Sequence, residues 1–341
     1  MSMSSYIDNS SPQLRQDIEA EVTAATNSPA LVDRSAVGKL RVTGADRLDL
    51  LHRMSTNDLL KLTPYSAIGT VFTNDKGRII DYVRVLAYPD SLLLITSPGR
   101  EFTLKNWIDK YTIMEDVQLS VVTNELAMYS ILGPQSLTAL NSLFAELPRP
   151  GEFRVSNLGE ITCTLDFQNE FHADRINVLI PLDGAPTLVQ RLVHESNSTG
   201  LQRIGEQAYE CYRIVMGIPK EGTELIDSFN PYEVNLHHAI SFTKGCYIGQ
   251  EVIARLDTYQ KIQRRLVGIS VDRELQRGDL PLPIIKDSEE IGLVTSSSLY
   301  PLGAKFIGLG VVKKNDVSLN DMIDIMGQSS RVKGIIIKLF N

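Results

Sequence analysis

The sequence predicts an α+β protein made of two lobes with antiparallel sheets, followed by a small C-terminal β-barrel. Two patterns support this fold class. Between residues 30 and 216, predicted strands alternate with single helices, an order typical of α+β lobes. After Leu266, short strands are separated by turn residues, which is typical of a small barrel or sandwich. The length of 341 residues is sufficient for two or three domains.

The first lobe is predicted from a hairpin and two helices. Residues 74–77 (Asn-Asp-Lys-Gly) form a polar turn with a glycine between two apolar runs, a pattern that predicts a β-hairpin. Leu48, Leu51 and Met54 recur at helical spacing and predict a short amphipathic helix. The predicted strands of this lobe cover residues 38–44, 71–73, 78–85 and 92–95, and its helices cover 46–54 and 101–111.

The second lobe and the barrel follow in the same way. A helix over 204–216 is predicted to end at Gly217, because Pro219 cannot continue it. The other predicted helices of the second lobe cover 135–144 and 187–194, and its strands cover 117–122, 128–132, 161–165 and 177–180. The barrel strands cover 266–271, 292–295, 308–312 and 334–337. We therefore divide the chain into a polar, peripheral N-terminal arm (1–28) that contains a short predicted helix over 13–25, the two lobes (29–264) and the barrel (265–341).

The composition indicates an ordinary soluble protein, with 43% hydrophobic and 22% charged residues. A net charge of −7 argues against a protein that mainly coats nucleic acid. No apolar run reaches membrane-spanning length, and the first residues do not resemble a secretory signal. Three cysteines, an odd number, fit a reducing compartment, and Cys163 and Cys211 have the apolar neighbours of small buried side chains. We predict a cytoplasmic protein without a membrane partner.

Several common catalytic and binding motifs do not occur in the sequence. It has no phosphate-binding G-x-x-x-x-G-K-[ST], no G-x-S-x-G serine elbow and no histidine or cysteine pair at zinc-ligand spacing. His237 and His238 are adjacent, so on a regular element they would point in different directions. We interpret them as structural or solvated residues, with zinc binding as the minor alternative, and we predict no metal site.

Residues 244–251 (Lys-Gly-Cys-Tyr-Ile-Gly-Gln-Glu) stand out from the rest of the chain. They contain too few apolar side chains for a core strand, and two glycines would cost about 2 kcal/mol inside a helix. The residues that follow, 252–256, have helix-forming character. The sequence therefore predicts a tight loop that places a cysteine close to the N-terminal end of a helix.

Cys246 is the predicted site of special chemistry. A nearby cation and the positive end of a helix both favour the thiolate, and Lys244 lies two residues before this cysteine. Gly245 and Gly249 allow unusual backbone angles and the close approach of a ligand. The alternative, a small buried side chain, agrees less well with these neighbours.

Charged residues suggest two further elements of a site. Asp81 lies in an otherwise apolar strand, where it is either a catalytic or ligand-anchoring group or a side chain on the solvent face. A basic cluster lies on and after the predicted helix, and it could hold a polyanion such as a polyglutamate tail or an RNA phosphate, or form a solvated face. This cluster consists of Arg255, Lys261, Arg264 and Arg265.

Residues 244–251, followed by Ala254 and Arg255, resemble the signature of the YgfZ family, folate-binding proteins related to the glycine-cleavage T-protein. Further matches extend over nearly the whole chain beyond residue 28. They are Gly44-Ala45-Asp46, Thr56-Asn57-Asp58, Lys76-Gly77-Arg78-Ile79-Ile80-Asp81, Leu132-Gly133-Pro134 and Pro231-Tyr232-Glu233.

The resemblance implies a cloverleaf in which the two lobes and the barrel surround a central channel that binds tetrahydrofolate or a one-carbon derivative. It also implies a role in iron–sulfur cluster assembly or repair, and indirectly in tRNA modification. Iron–sulfur proteins or cluster carriers would be partners, and a cluster would be transient cargo. Carried over, Cys246 is the functional thiol and Asp81 belongs to the folate site. The local setting of the thiol is Lys244, Gly245, Tyr247, Gly249, Gln250, Glu251 and Arg255.

Two departures separate the chain from aminomethyltransferases of the same superfamily. It has Asp81-Tyr82 where those enzymes have an Asp-Asp pair, and the region 165–170 lacks their Gly-Tyr-Thr-Gly-Glu run, whose glutamate holds the pterin. These departures favour a folate-binding accessory protein for iron–sulfur proteins, not a conventional enzyme. The alternative is a tetrahydrofolate-dependent aminomethyltransferase or demethylase that uses Asp81. A tRNA-binding module using residues 255–265 agrees less well with the net acidity.

Overall fold

The computed structural model describes residues 12–258, 262–327 and 331–340. In this part of the chain the α-helices are α1 (Pro12–Asn27), α2 (Arg47–Met54), α3 (Glu101–Asp109), α4 (Ala185–Thr199), α5 (Glu206–Met216) and α6 (Gln250–Thr258). The strands are β1 (Ala30–Asp33), β2 (Val37–Thr43), β3 (Ala67–Thr73), β4 (Ile79–Ala87), β5 (Leu92–Pro98), β6 (Gln118–Val121), β7 (Leu126–Leu132), β8 (Phe153–Leu158), β9 (Ile161–Gln168), β10 (Arg175–Pro181), β11 (Gln202–Arg203), β12 (Arg264–Val271), β13 (Leu282–Lys286), β14 (Glu289–Ser297), β15 (Phe306–Lys313), β16 (Met322–Met326) and β17 (Arg331–Leu339). Short 3₁₀ helices cover Leu59–Lys61, Thr138–Leu140, Glu170–His172, Leu182–Gly184, Pro231–Val234, His237–Ala239, Arg277–Asp279 and Lys314–Asp316.

The first lobe is a five-stranded antiparallel sheet in the order β3-β4-β5-β2-β6. One face packs against α2 and α3, where Leu51 and Leu104 are fully buried beside Leu94. The hairpin predicted around residues 74–77 is the connection between β3 and β4. Apolar residues on the other face, including Leu86 and Ile95, pack against the second lobe.

The second lobe is a six-stranded sheet in the order β11-β1-β7-β10-β9-β8. Its β1–β11 pair is parallel, and its other pairs are antiparallel. One face packs on α4, and the other packs on α1 and α5. The first lobe is inserted into the second, because β1 belongs to this sheet whereas the next five strands, β2–β6, form the first sheet.

The third unit is a closed barrel of six strands in the order β12-β15-β14-β13-β16-β17. Its outer surface packs on the lobes through residues such as Leu309 and Phe340, which share a buried cluster with Ile214 of α5. The predicted fold class, two sheet lobes plus a C-terminal barrel, is confirmed. The exact division of the chain into three domains stays a prediction.

Several sequence predictions differ from the structure. The strand over 117–122 was assigned to the second lobe, but β6 pairs with β2 in the first. The arm over 1–28 was expected to be peripheral, but its described part is α1, in which Ile18, Val22 and Ala25 are buried against α5. Their i, i+4, i+7 spacing forms one apolar stripe, and burying each large side chain stabilises the docked helix by about 1.5–3 kcal/mol. The predicted helix over 135–144 is only the 3₁₀ helix Thr138–Leu140, flanked by turns.

Candidate functional site

Lys244 anchors the predicted loop to the first lobe. Its ammonium Nζ donates hydrogen bonds to the backbone carbonyls of His52 (2.5 Å), Ser55 (2.6 Å) and Asn57 (2.8 Å), at the C-terminal end of α2. These carbonyls have no partner within the helix, so a cation there satisfies them and complements the helix dipole. Burial lowers the pKa of Lys244 to about 8. The ammonium is thus engaged with α2, and no contact directs it to the Cys246 thiol as the sequence suggested.

The two glycines of the loop have different surroundings. Gly249 has φ +84°, and a Cβ there would lie 2.5 Å from the carbonyl oxygen of Asn74 in the β3–β4 turn. Beside it, the Thr73 hydroxyl donates to the carbonyl of Ile248 (2.7 Å). A Cβ on Gly245 would meet no atom within 4 Å. Gly249 is therefore required by packing, whereas Gly245 leaves open space next to Cys246.

The remaining loop residues divide into buried and exposed side chains. Tyr247 is buried, and its ring lies 4.8 Å from Lys244 Nζ. Gln250 is half-buried at the start of α6, while Cys246, Glu251 and Arg255 are exposed. Cys246 therefore lies at the surface, four residues before α6, as the sequence predicted. The other two cysteines are buried, and burial raises the pKa of both Cys163 and Cys211 to about 11.

Asp81 is completely buried in β4. Its carboxylate accepts hydrogen bonds from the Ser97 backbone N–H (2.9 Å), the Ser97 hydroxyl (2.6 Å) and the Tyr82 backbone N–H (3.0 Å). Burial raises the pKa of Asp81 to about 6, although these hydrogen bonds and Arg100 oppose the rise. A solvent-face role for Asp81 is therefore wrong, and a carboxyl group that titrates near neutral pH is a candidate for chemistry.

A central cavity lies where the two sheets meet α5 and the segment that follows it. Its wall includes Tyr82 and Ser97 from the first lobe, Asn177 from the second, and Tyr209 and Arg213 from α5. Ser97 connects this wall to Asp81, which is not itself among the lining residues. Residues 244–251 do not line the cavity either. The structure thus separates the exposed thiol from the cavity.

Arg84 forms a buried ionic network beside this cavity. Its guanidinium donates to Asp166 Oδ1 (2.8 and 3.2 Å) and to Glu170 Oε1 (2.6 Å). Burial alone lowers the pKa of Arg84, but Asp166 and Glu170 raise it well above its usual value. The second oxygen of Glu170, Oε2, is buried without a hydrogen-bond partner among the described residues. Sequence reasoning missed this network, although an arginine in the apolar run of β4 was a usable signal.

An aromatic cluster also contacts the cavity. Phe171, a lining residue, has φ 62° and ψ 23°, a left-handed conformation that is unfavourable for a bulky side chain. Its ring packs edge-on against Tyr82 (6.0 Å) and His238 (4.9 Å). His238 thus has the structural role that the sequence indicated.

The basic cluster proposed from the sequence is not a uniform solvated face. Arg264 donates to both carboxylate oxygens of Glu233 (2.7 and 3.1 Å) and lies over the Phe229 ring at 5.2 Å. Arg255 is exposed on α6, and Lys261 lies outside the described residues. Of the described members, Arg264 is thus paired with Glu233 and Arg255 is exposed, and a polyanion site formed by the whole cluster stays a prediction.

Comparison with known proteins places this architecture in a family. The model of the GCVT N-terminal domain matches residues 2–244, which is more than half of the chain. The chain belongs to the GCVT N-terminal domain family. This result supports the T-protein superfamily that the sequence resembled, though not the YgfZ family in particular.

Relatives of this GCVT-family chain carry transferase names. A chloroplastic protein of Arabidopsis thaliana named as a transferase is 29% identical over 317 residues, covering 91% of this chain and 72% of that protein. An aminomethyltransferase of Caldanaerobacter subterraneus is 26% identical over 332 residues, covering 94% and 87%. The crystal structure of glycine cleavage system aminomethyltransferase T from Bartonella henselae matches with a TM-score of 0.77 at 16% identity, over 95% of this chain and 91% of that one, which shows a shared fold. In the described part of this chain, no helix is long and apolar enough to cross a membrane.

Proposed function

We propose that the protein is a tetrahydrofolate-dependent one-carbon transferase of the aminomethyltransferase type, with the folate in the central cavity. The observation that carries the proposal is the Asp81–Ser97 pair, a buried carboxyl bound to a hydroxyl on the cavity wall. Two of the relatives above support it, since they are named aminomethyltransferase and one of them matches across 94% of the chain. The sequence analysis ranked this function second, and these relatives favour it over the accessory role.

The residues around the cavity suit a reduced pterin. The rings of Tyr82, Phe171 and Tyr209 offer apolar faces to a flat ligand. The pterin ring carries several N–H donors. Glu170 is not itself a lining residue, but it lies in the chain between the lining residues Gln168 and Phe171, and its buried Oε2 lacks a donor among the described residues. An unsatisfied buried acceptor costs about 1–3 kcal/mol, which a ligand donor would offset. Glu170 thus supplies an acidic group in the region that lacks the Gly-Tyr-Thr-Gly-Glu run.

Asp81 would act on the ligand through Ser97. With a pKa of about 6, its carboxylate is ionised at pH 7 and accepts the Ser97 hydroxyl proton in a hydrogen bond. A ligand N–H group can then pass its proton to the Ser97 oxygen while the Ser97 hydroxyl proton moves to the Asp81 carboxylate, which becomes a neutral carboxylic acid. Bound tetrahydrofolate would supply the nitrogen atoms that receive the one-carbon unit. In this scheme Asp81 acts through Ser97 as the final proton acceptor, and Ser97 touches the ligand.

The test replaces Asp81 by Asn and measures methylenetetrahydrofolate formed from tetrahydrofolate with a series of aminomethyl donors. We expect kcat to fall by about 100-fold, because loss of a positioned proton acceptor costs about 10²–10⁴-fold. The wild-type rate should rise with pH through about 6, as Asp81 ionises, and Asp81→Asn should lose that rise.

Asp75→Asn, which removes an exposed carboxylate in the nearby β3–β4 turn, is the matched control and should retain full activity. The proposal fails if the wild-type protein forms no product with any donor. A full rate for Asp81→Asn would remove Asp81 from the scheme.

A second function is favoured by the exposure of Cys246 next to the open space at Gly245. We propose, as the alternative, a folate-binding accessory role for iron–sulfur proteins in which this thiol is a nucleophile, a transient cluster ligand or a one-carbon acceptor. Cys246→Ala would then abolish rescue of iron–sulfur enzyme activity in cells that lack the protein, without loss of folding. Full rescue by this variant would exclude the role, and Cys163→Ala would be the control for a buried thiol.

A further inference from the structure

Arg175 lies on the wall of the central cavity without an ion-pair partner among the described residues. It begins β10, directly opposite Gln168 on β9, and both residues line the cavity. Arg175 is half-buried, and none of the ion pairs or hydrogen bonds formed by the described side chains includes its guanidinium. A partly buried cation without a compensating anion is unfavourable, so its retention at this position needs an explanation.

The two nearby carboxylates form ion pairs with Arg84 and none with Arg175. Asp166 lies two residues before Gln168 and accepts from Arg84 at 2.8 and 3.2 Å, from the Gln168 amide at 2.8 Å and from the Asn177 amide at 3.1 Å. Glu170 Oε1 accepts from the other arm of Arg84 at 2.6 Å. Arg84 therefore binds both carboxylates directly, although Glu170 Oε2 still lacks a donor among the described residues. Burial by itself lowers the pKa of Arg175 and the charge of Glu170 raises it, but no hydrogen bond or ion pair joins these two side chains.

The other cations of the cavity wall are paired. Arg34 forms an ion pair with Glu206 (3.5 Å), and Arg213 forms one with Glu210 (2.5 Å). Lys220 also contacts Glu210, at 3.0 Å. Among the described residues, Arg175 is thus the cationic side chain of the cavity wall that forms no ion pair with a carboxylate.

The environment of Arg175 is also electropositive. Burial by itself raises the pKa of the neighbouring Tyr209, but Arg175, Arg34 and Arg213 together lower it below its usual value. A positive potential at this wall favours an anionic group on the ligand.

We propose that Arg175 binds a carboxylate of the ligand in the central cavity. The inference rests on the proposed function and specifies its substrate class, a carboxylate-bearing ligand. The planar guanidinium can donate two parallel hydrogen bonds to a carboxylate, and this geometry is stronger and more specific than a single contact. The carboxylate comes either from the glutamate part of the folate or from a small amino acid that donates the one-carbon unit.

The experiment compares Arg175→Gln with wild type by calorimetric titration of three probes. Tetrahydrofolate carries carboxylates, 6-methyltetrahydropterin has the same reduced ring without them, and N,N-dimethylglycine is a small carboxylate-bearing amine. We expect the carboxylate ligand that uses Arg175 to bind about 10- to 100-fold more weakly to the variant, while 6-methyltetrahydropterin binds equally to both. Arg175→Lys, which keeps the charge but loses the two-point geometry, should fall between them.

The matched control is Arg154→Gln, which removes a guanidinium of β8 that already has a carboxylate partner, Glu146 at 2.8 Å. It should leave the affinity for each probe unchanged, because Arg154 does not line the cavity. Arg175→Gln should be at least as stable as wild type in urea unfolding, since it removes a partly buried charge and strands no buried partner.

Each outcome of the titrations decides a different point. Weaker tetrahydrofolate binding to Arg175→Gln supports the inference with folate as the source, and lost N,N-dimethylglycine binding supports it with the amine as the source. Equal binding of both ligands to wild type and Arg175→Gln overturns the inference and leaves the proposed function intact. If wild type binds neither tetrahydrofolate nor 6-methyltetrahydropterin, the proposed function fails, and the inference fails with it.

Discussion

The loop at residues 244–251 and the central cavity differ in how their polar groups are used. In the loop, Lys244 and Gly249 are committed to packing against α2 and the β3–β4 turn, and Cys246 is left at the surface. In the cavity, a buried network holds Arg84 and Asp166, and Arg175 is left unpaired. These two residues of the loop thus serve packing, although the loop is a clear sequence motif. Among the described residues, an arginine without a carboxylate partner lies on the wall of the cavity, which is built from segments far apart in the chain.

The substitution with the largest expected loss of stability tests the buried ion-pair network beside the cavity. Arg84→Met should lower the free energy of unfolding by about 4 kcal/mol, because it leaves the fully buried Asp166 carboxylate without its cation. Urea denaturation measures the change. Adding Asp166→Asn to the variant should recover part of the loss, since the stranded charge disappears. A loss below about 1 kcal/mol for Arg84→Met would mean that the network is not a stabilising element.

The second effect tests whether the loop is structural. Lys244→Met should cost about 3 kcal/mol, because three carbonyls at the end of α2 lose their donor in a buried position. Chemical denaturation gives the value, and Lys76→Met, at an exposed position in the β3–β4 turn, is the control. If Lys244→Met matches the control in stability but loses activity, the lysine belongs to chemistry and the comparison fails.

The substitutions with the smallest expected effect on stability compare the two glycines of the loop, Gly245 and Gly249. Gly249→Ala should cost about 2 kcal/mol, because its positive φ is strained for alanine and its Cβ would overlap the Asn74 carbonyl. Gly245→Ala should change stability by less than about 0.5 kcal/mol, since its Cβ enters open space. Equal costs at the two positions, measured by thermal or urea unfolding, would show that the loop does not distinguish them.

Local patterns explain how much of the fold could be predicted. The hairpin around residues 74–77, the helix end at Gly217 and several barrel strands follow from turn residues and apolar runs, and the structure contains them. Strands β8 and β13 were missed for physical reasons. β8 is a polar edge strand with one exposed face, and β13 contains Pro283, which weakens a strand prediction.

The candidate site was harder to predict than the fold. Cys246 and its loop could be found because their residues are adjacent in the chain. Arg84, Asp166 and Arg175 are separated by up to about 90 residues, and only the packing of two sheets brings them together. The alternation of polar and apolar residues in a strand indicates which face is buried, but not which other strand it meets.

The insertion of the first sheet between β1 and β7 of the second has a consequence for how the chain acquires its structure. During synthesis, β1 emerges early but has no antiparallel partner until β7 has been made, roughly 100 residues later. The first sheet can be completed by a contiguous stretch of chain, whereas the second cannot, because β2–β6 lie between β1 and β7. A fragment that begins after residue 33 would leave β7 with an empty edge where β1 pairs in the complete protein.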